Sequence, residues 1–418
     1  MGTSQRPTQA VILAGGRGTR LRPLTDTRPK PMVEVLGKPF LEYQVEHLRQ
    51  EGFERVLLLL GYLPEVVQDY FGDGRRWGIE IDYSVTGVED ETGRRMKLAE
   101  KYLEPCFLLM YCDNYWPMRF EKMWRQFCAR DALAMITVYT NKDDYTQNSV
   151  RIEPDGFVSR YDKSGTDPDL NGVEISYAIL RKEVVSDLST ANVLFETTVY
   201  PPLAAQRQLS AFATDHRYYS IGSHRRLPLT EEFFQRRPAV ILDRDGVLNR
   251  KPPRAEYVRN WSEFQWLPGA KNALRLLHDR GYRVIVVSNQ AGLARGAMTG
   301  RDLAGIHESM KREAERAGGR IDAIYYCPHD WDAGCECRKP NPGMLFRAQK
   351  DFNLDLSRVC FAGDDDRDAA AAEQAGCSFV LITENNPLLN WVQDLIGGSN
   401  TEKKADGDPS EKSLDHRA

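Results

Sequence analysis

The stretch LDRDGVLN, residues 242–249, follows an apolar run and sets two carboxylates, Asp243 and Asp245, at i and i+2. At the C-terminal end of a strand, such a pair stands where open α/β sheets bind their ligands. Asp243 could attack phosphorus there, while Asp245 protonates the leaving oxygen and then activates water. Three further strand ends carry groups for the same chemistry. SNQ, 288–290, offers the Ser288 hydroxyl, and RKP supplies Lys339, a compact cation suited to phosphate. FAGDDD, 361–366, offers Asp364 and Asp365 to a hard cation such as Mg²⁺. Alone, D-x-D-G reads equally well as a turn after a strand; four such ends in this order do not.

A second constellation is CPHDWDAGCECRKP, residues 327–340. Cys327, His329, Cys335 and Cys337 are four soft ligands of the kind that zinc takes tetrahedrally, and four protein ligands close the shell. The expectation is a structural Zn²⁺ beside Lys339, not a catalytic one. Three buried cysteines and an unrelated histidine are the bland alternative. The other cysteines, 106, 112, 128, 360 and 377, fall in or near apolar elements and read as small core residues.

The third is LAGGRGTRLRPLTDTRPKPM, residues 13–32. Gly15, Gly16, Gly18 and Thr19 can bring backbone N–H groups against phosphates, because glycine allows close approach. Arg17, Arg20 and Lys30 add fixed positive charge for a triphosphate. Nucleotidyl transfer needs those parts: a sugar phosphate attacks the α-phosphorus in line and pyrophosphate leaves, with no covalent protein nucleophile.

Short apolar strands alternating with helices must position these groups. QAVILAGG, RVLLLLG, CFLLMYCD, LAMITVYT and ISYAIL read as strands, and FLEYQVEHLRQEG as an amphipathic helix. The pattern restarts at PAVILDRDG, with YRVIVVSNQ and RVCFAG as later strands. This predicts an α/β chain of two doubly wound domains with mostly parallel sheets, 8–228 and 238–396, and a disordered polar tail at 397–418. A formal net charge of −4 leaves no footprint for nucleic acid. No run approaches the roughly 20 apolar residues of a membrane span. Cysteines clustered at metal spacing, without a secretion signal, point to the cytoplasm. No motif speaks to oligomeric state.

Residues 238–395 resemble the haloacid dehalogenase superfamily, and within it the heptose 1,7-bisphosphate phosphatases and histidinol-phosphatases, through the motifs above and through NQAGLARG and CRKPNPGM. The resemblance implies Asp243 as nucleophile, Asp245 as acid/base, and Ser288 and Lys339 on the phosphoryl group. It implies Mg²⁺ on Asp243, Asp364 and the backbone carbonyl of Asp245, substrate contacts from Asn289 and Arg338, and a zinc loop that shapes substrate entry.

Residues 8–228 resemble the nucleotide-sugar pyrophosphorylases through GGRGTRL and PKP. That implies triphosphate binding by Gly15 to Arg20 and Lys30, Mg²⁺ on Asp113 of CDNYW, and sugar phosphate on Lys163 of YDKSG. One departure stands out: Ser220, in YYSIG, occupies the place of the family's second metal-binding aspartate. Joined, the halves imply dephosphorylation of heptose 1,7-bisphosphate at O7, then nucleotidyl transfer to the heptose 1-phosphate. Histidinol phosphate has no anomeric phosphate to activate. The implied partners are a nucleoside triphosphate, GTP first and CTP second, and a phosphorylated sugar. A catalytically silent first half, or both activities on a smaller polyol phosphate, are the alternatives.

Overall fold

Along Gln9–Ala14 (β1) neighbouring side chains enter opposite cores: Ala10, Ile12 and Ala14 join one apolar cluster, Val11 and Leu13 another. A strand apolar on both sides has to be covered on both faces, which is what helices packed above and below a sheet provide. The computed structural model describes residues 5–235 and 237–402, and the chain divides into two units, Met1–Gln235 and Arg236–Ala418.

In the first unit β1 is joined by Arg55–Leu60 (β2), Glu80–Val85 (β3), Cys106–Tyr111 (β4), Ala134–Tyr139 (β5), Val173–Arg181 (β6) and Leu209–Thr214 (β7). The seven strands run in the order β7-β5-β6-β4-β1-β2-β3. All adjacent pairs are parallel except those of β6, which runs antiparallel to both β4 and β5. The sheet is therefore mixed. Along β6 the register with β5 shifts between Glu174 and Ala178, and Ser176 takes a φ of 70° there.

The second unit carries Ala239–Leu242 (β8), Arg283–Asn289 (β9), Ala323–Cys327 (β10), Cys360–Gly363 (β11) and Ser378–Leu381 (β12) in the order β10-β9-β8-β11-β12, all parallel. Val240 and Leu242 face one core, Ala239 and Ile241 the other. The order reverses at β8, so its C-terminal end opens between β9 and β11, the switch point where such sheets take ligands. Both units are thus α/β. The stretch expected as a tail begins within the helix Leu388–Glu402, and from 403 onward it lies outside the described residues. Among the described residues no helix is long and apolar enough to cross a membrane.

Candidate active sites

Asp243 directly follows β8 and is 7% exposed. Lys339 Nζ lies 2.8 Å from its Oδ1 and 2.6 Å from Asp368 Oδ1. Burial pushes the Asp243 carboxyl up to about 7 despite the Lys339 charge, with Asp368 and Asp245 adding to the rise. Lys339 is anchored by Asn289: the amide donates to the Lys339 carbonyl at 3.1 Å, and the Lys339 N–H donates back to Asn289 Oδ1 at 3.1 Å. The ends of β8 and β9 and the loop after the cysteine cluster are held together in this way.

Asp245 is also desolvated, which would raise its carboxyl, but the Arg244 charge and hydrogen bonds from Arg244, Asn249 and Gln290 prevail and hold it low. Gln290 Nε2 donates to Asp245 Oδ2 at 3.0 Å and to Ser288 Oγ at 2.7 Å, tying the second carboxylate to the β9 hydroxyl. These groups, with Arg338 and Asp364, line one cavity of about 630 Å³.

Gly246 explains the last letter of D-x-D-G. Its φ is 96°, and a Cβ there would stand 1.9 Å from Asp364 Oδ2. Only glycine tolerates both conditions, so β11 can bring Asp364 up to the β8 loop.

Asp243, Asp364 and Asp368 each offer a carboxylate oxygen within 4.8 Å of one another, a set able to hold a cation. Asp364 Oδ1 is buried without a hydrogen-bond partner, as fits an oxygen awaiting a metal. The sequence offers Asp365 beside Asp364; in the structure it is Asp368, not Asp365, whose carboxylate joins the set. Asp365 caps the helix Asp366–Ala375, accepts from the Arg367 N–H at 2.9 Å, and is held low chiefly by the Arg367 side chain. Asp368, four residues past Asp364, turns inward and is 1% exposed.

Cys327, His329, Cys335 and Cys337 converge. Cys335 Sγ lies 3.6 Å from both other sulfurs, and His329 Nδ1 lies 3.5 Å from Cys327 Sγ and 3.2 Å from Cys337 Sγ. Ligands about 2.0–2.3 Å from a tetrahedral centre are roughly 3.5 Å apart, so the donor set fits zinc.

In the first unit the glycine loop leaves β1 and folds over a buried arginine. Arg95 donates to the carbonyls of Leu60 at 2.7 Å and Gly87 at 2.8 Å, and a Cβ on Gly15 would fall 2.4 Å from its Cζ. Gly18, at φ 64°, packs against the Lys30 side chain, and its carbonyl accepts from Thr25 Oγ1 at 2.9 Å. Gly16, Arg17, Thr19 and Arg20 are exposed on this loop, with Arg17 paired to Glu89.

Lys30 forms an ion pair with Asp113 at the end of β4. Ser220 pairs in register with Asn114, and the next residue, Ile221, donates its N–H to the Asp113 carbonyl at 3.0 Å. Ser220 thus stands beside Asp113. Asp215 is directed elsewhere, to Thr140 and Lys142.

Lys163 pairs with Glu196, a nearly buried carboxylate that also accepts from Tyr111 Oη at 2.7 Å. Burial lowers the Lys163 ammonium, while the charges of Glu174 and Asp113 resist. Glu174, not singled out from the sequence, is half-buried, and desolvation pushes its carboxyl up to about 7. The helix Thr92–Leu98 contributes the loop-supporting Arg95.

The fold and these sites define a nucleotidyltransferase domain followed by a haloacid dehalogenase-like phosphatase domain. Residues 9–158 match the nucleotidyl transferase family and residues 336–393 the HAD-hydrolase-like family. The D-glycero-beta-D-manno-heptose-1,7-bisphosphate 7-phosphatase of Bordetella bronchiseptica is 42% identical over 154 residues, which is 37% of this chain and 85% of that protein. The chain belongs to this phosphatase family and carries a nucleotidyltransferase domain in addition.

Two solved structures are similar in part. The B. bronchiseptica D,D-heptose 1,7-bisphosphate phosphatase, complexed with magnesium and phosphate, is 35% identical, with 38% of this chain and 99% of that one covered and a TM-score of 0.36. HddC from Yersinia pseudotuberculosis is 26% identical, with 54% and 99% covered and a TM-score of 0.48.

Proposed function

We propose that the chain catalyses two consecutive steps: removal of the 7-phosphate of D-glycero-D-manno-heptose 1,7-bisphosphate within 238–396, then transfer of a nucleotidyl group, from GTP by first choice, to the heptose 1-phosphate within 8–228. The observation that carries the first step is the joining of Asp243, Lys339 and Asp368 at one strand end, with Ser288 and Asp245 in the same cavity. The family's printed substrate supports the choice of sugar.

In this reading Asp243 attacks phosphorus. Asp245, which Arg244 holds low in the free site, must take up a proton as the substrate binds. It gives that proton to the leaving sugar oxygen, so an aspartyl-phosphate forms as the P–O bond to the sugar breaks. Asp245, now ionised, takes a proton from water, which attacks the same phosphorus and frees phosphate and Asp243. Ser288 and Lys339 hold the phosphoryl oxygens, and Asn289 and Arg338 line the approach. Mg²⁺ held by Asp243, Asp364, Asp368 and the Asp245 carbonyl would supply charge neutralisation. Zn²⁺ on the cysteine–histidine set would hold the loop that carries Lys339.

In the first half, Gly15 to Arg20 and Lys30 would cradle the triphosphate, Asp113 would hold Mg²⁺, and Lys163 would meet the sugar phosphate. The Lys30–Asp113 pair and the desolvated Lys163 support this. Ser220 supports a second reading, in which this half binds its ligands without turnover, because it places a hydroxyl beside Asp113 where the resemblance calls for a carboxylate.

One assay tests both readings. Purified protein, Mg²⁺, both anomers of the bisphosphate and an equal mixture of five nucleoside triphosphates are followed by mass spectrometry. A single nucleotide-heptose with pyrophosphate is expected. Heptose 1-phosphate accumulating alone would favour the second reading, and recovery of transfer in Ser220→Asp would then identify the cause.

A further inference from the structure

Ser288 and Asp245 reach the phosphatase cavity from the ends of different strands, and the Gln290 side chain touches both. Gln290 is 2% exposed, and its peptide N–H donates to the Cys327 carbonyl at 2.8 Å, so the residue is fixed where β9 ends. Each end of its amide faces a neighbour of one sign. The buried Arg244 can only donate, and its Nη2 lies 3.1 Å from Gln290 Oε1. Asp245, held as the carboxylate, can only accept, and its Oδ2 receives Gln290 Nε2 at 3.0 Å. Turning the amide over would set donor against donor on one side and acceptor against acceptor on the other. Chemistry, and not the shape of the side chain, thus determines which way it points.

With one Nε2 hydrogen on Asp245, the other goes to Ser288 Oγ, 2.7 Å away. That hydroxyl is an acceptor in this bond, so its own hydrogen must point elsewhere. No protein acceptor takes it among the described residues, and Ser288 lines the cavity together with Asp243 and Lys339. A serine hydroxyl left to itself rotates to donate or accept as its surroundings require. Here the choice is made before a ligand arrives, and the hydrogen is left for what the cavity holds.

We propose that Gln290 is a positioning residue of phosphate release: aimed by Arg244 and Asp245, its amide commits the Ser288 hydroxyl to donate to the phosphoryl group. This rests on the phosphatase reading above and adds the residue that gives Ser288 its direction. Phosphoryl oxygens only accept, so a hydroxyl turned the other way would present lone pairs to them. A donor aimed in advance needs no reorientation as charge develops on those oxygens.

The test is calorimetric titration with orthovanadate in the presence of Mg²⁺, since this anion takes the place of the phosphoryl group without turnover. The wild type is compared with Ser288→Ala, Gln290→Leu and the double variant. Each single change should weaken vanadate about tenfold, the scale of one hydrogen bond to a charged group. The double variant should bind within about threefold of Ser288→Ala, because Gln290 then has no hydroxyl to aim. A merely structural contribution would persist without the Ser288 hydroxyl. Additive losses, about 100-fold in the double variant, or full affinity in Gln290→Leu, would overturn the role.

Gln290→Glu covers the case of a leucine variant that fails to fold. It keeps the size and a partner for Arg244 but offers Ser288 an acceptor, so the hydroxyl turns away from the cavity. Vanadate should again weaken at least about tenfold, and only where Ser288 is present. A wild type that bound vanadate but released no phosphate from heptose 1,7-bisphosphate would sink the substrate reading, and the vanadate series would still decide Gln290. A wild type that bound no vanadate would overturn both.

Discussion

Lys339 and Asp368 lie 29 residues apart in the chain, yet their charged atoms meet at 2.6 Å, with side chains 3% and 1% exposed. At that depth neither ion is stable alone. Removing one partner of a buried pair costs roughly 3–5 kcal/mol because the other charge stays desolvated. Asp368→Asn should therefore lower the melting temperature of the second unit by several degrees. Phosphate release should fall on the order of 10²-fold, with nucleotidyl transfer unchanged. A variant that melts lower but hydrolyses normally would confine Asp368 to a structural role.

Metal content provides a separate check. The four donors of the cysteine–histidine cluster should bring one zinc per chain through purification, read by elemental analysis. Cys335→Ser combined with Cys337→Ser should abolish it, destabilise the second unit and slow phosphate release, since Lys339 follows Cys337 by two residues. Full activity with no bound zinc would reject the site.

Gly15 and Arg95 form a steric lock. Gly15→Ala drives a methyl into a guanidinium whose partners are backbone carbonyls, an overpacking of roughly 1–3 kcal/mol at the nucleotide loop. Nucleotidyl transfer should fall at least about tenfold and phosphate release stay constant. Gly15→Ala with Arg95→Ala should be less damaging than the sum of the two singles, as contacting sites are not additive. Strict additivity would place the defect elsewhere.

His307 sets an acid limit on the second unit. Burial, with the Arg244 and then the Lys311 charge, depresses it to about 3 against the pull of Asp245. The unfolded chain takes up this proton near pH 6.5 while the folded chain refuses it. Stability from this residue is thus fully present above pH 6.5 and is lost as pH falls towards 3. One proton gives about 1.4 kcal/mol per pH unit, or about 2 kcal/mol by pH 5. Denaturant titrations at pH 7.5, 6, 5 and 4.5 should show that loss in the wild type and a shallower one in His307→Leu. Parallel curves would argue against it.

Much of this was legible in the residues. Strand ends announce themselves through apolar runs that stop at a carboxylate, a hydroxyl or a glycine, so Asp243, Ser288, Asp364 and the Gly15 loop could be found without coordinates. The cysteine–histidine donor set was equally plain, because thiol and imidazole donors seldom cluster by accident.

Asp368 was missed for a definite reason: a run of three aspartates draws attention to neighbours, whereas a helix start sends Asp365 outward as its cap and brings round the residue four from Asp364. The inward turn of Arg95 depends on carbonyls contributed by residues 60 and 87, and local spacing carries no trace of them. Likewise the reversed direction of β6 is set by its neighbours in the sheet, since an apolar strand reads the same either way.

Among the described residues each unit owns its apolar cores: three clusters draw on residues of the first and two on residues of the second. If the proposed two-step reading holds, the chain should behave in genetic tests as two cistrons written as one. An allele crippled at Asp243 and another crippled at Lys30 should complement each other when expressed together, provided that the shared intermediate diffuses through solvent. Failure to complement, with both proteins folded, would mean that the intermediate stays with the chain that made it.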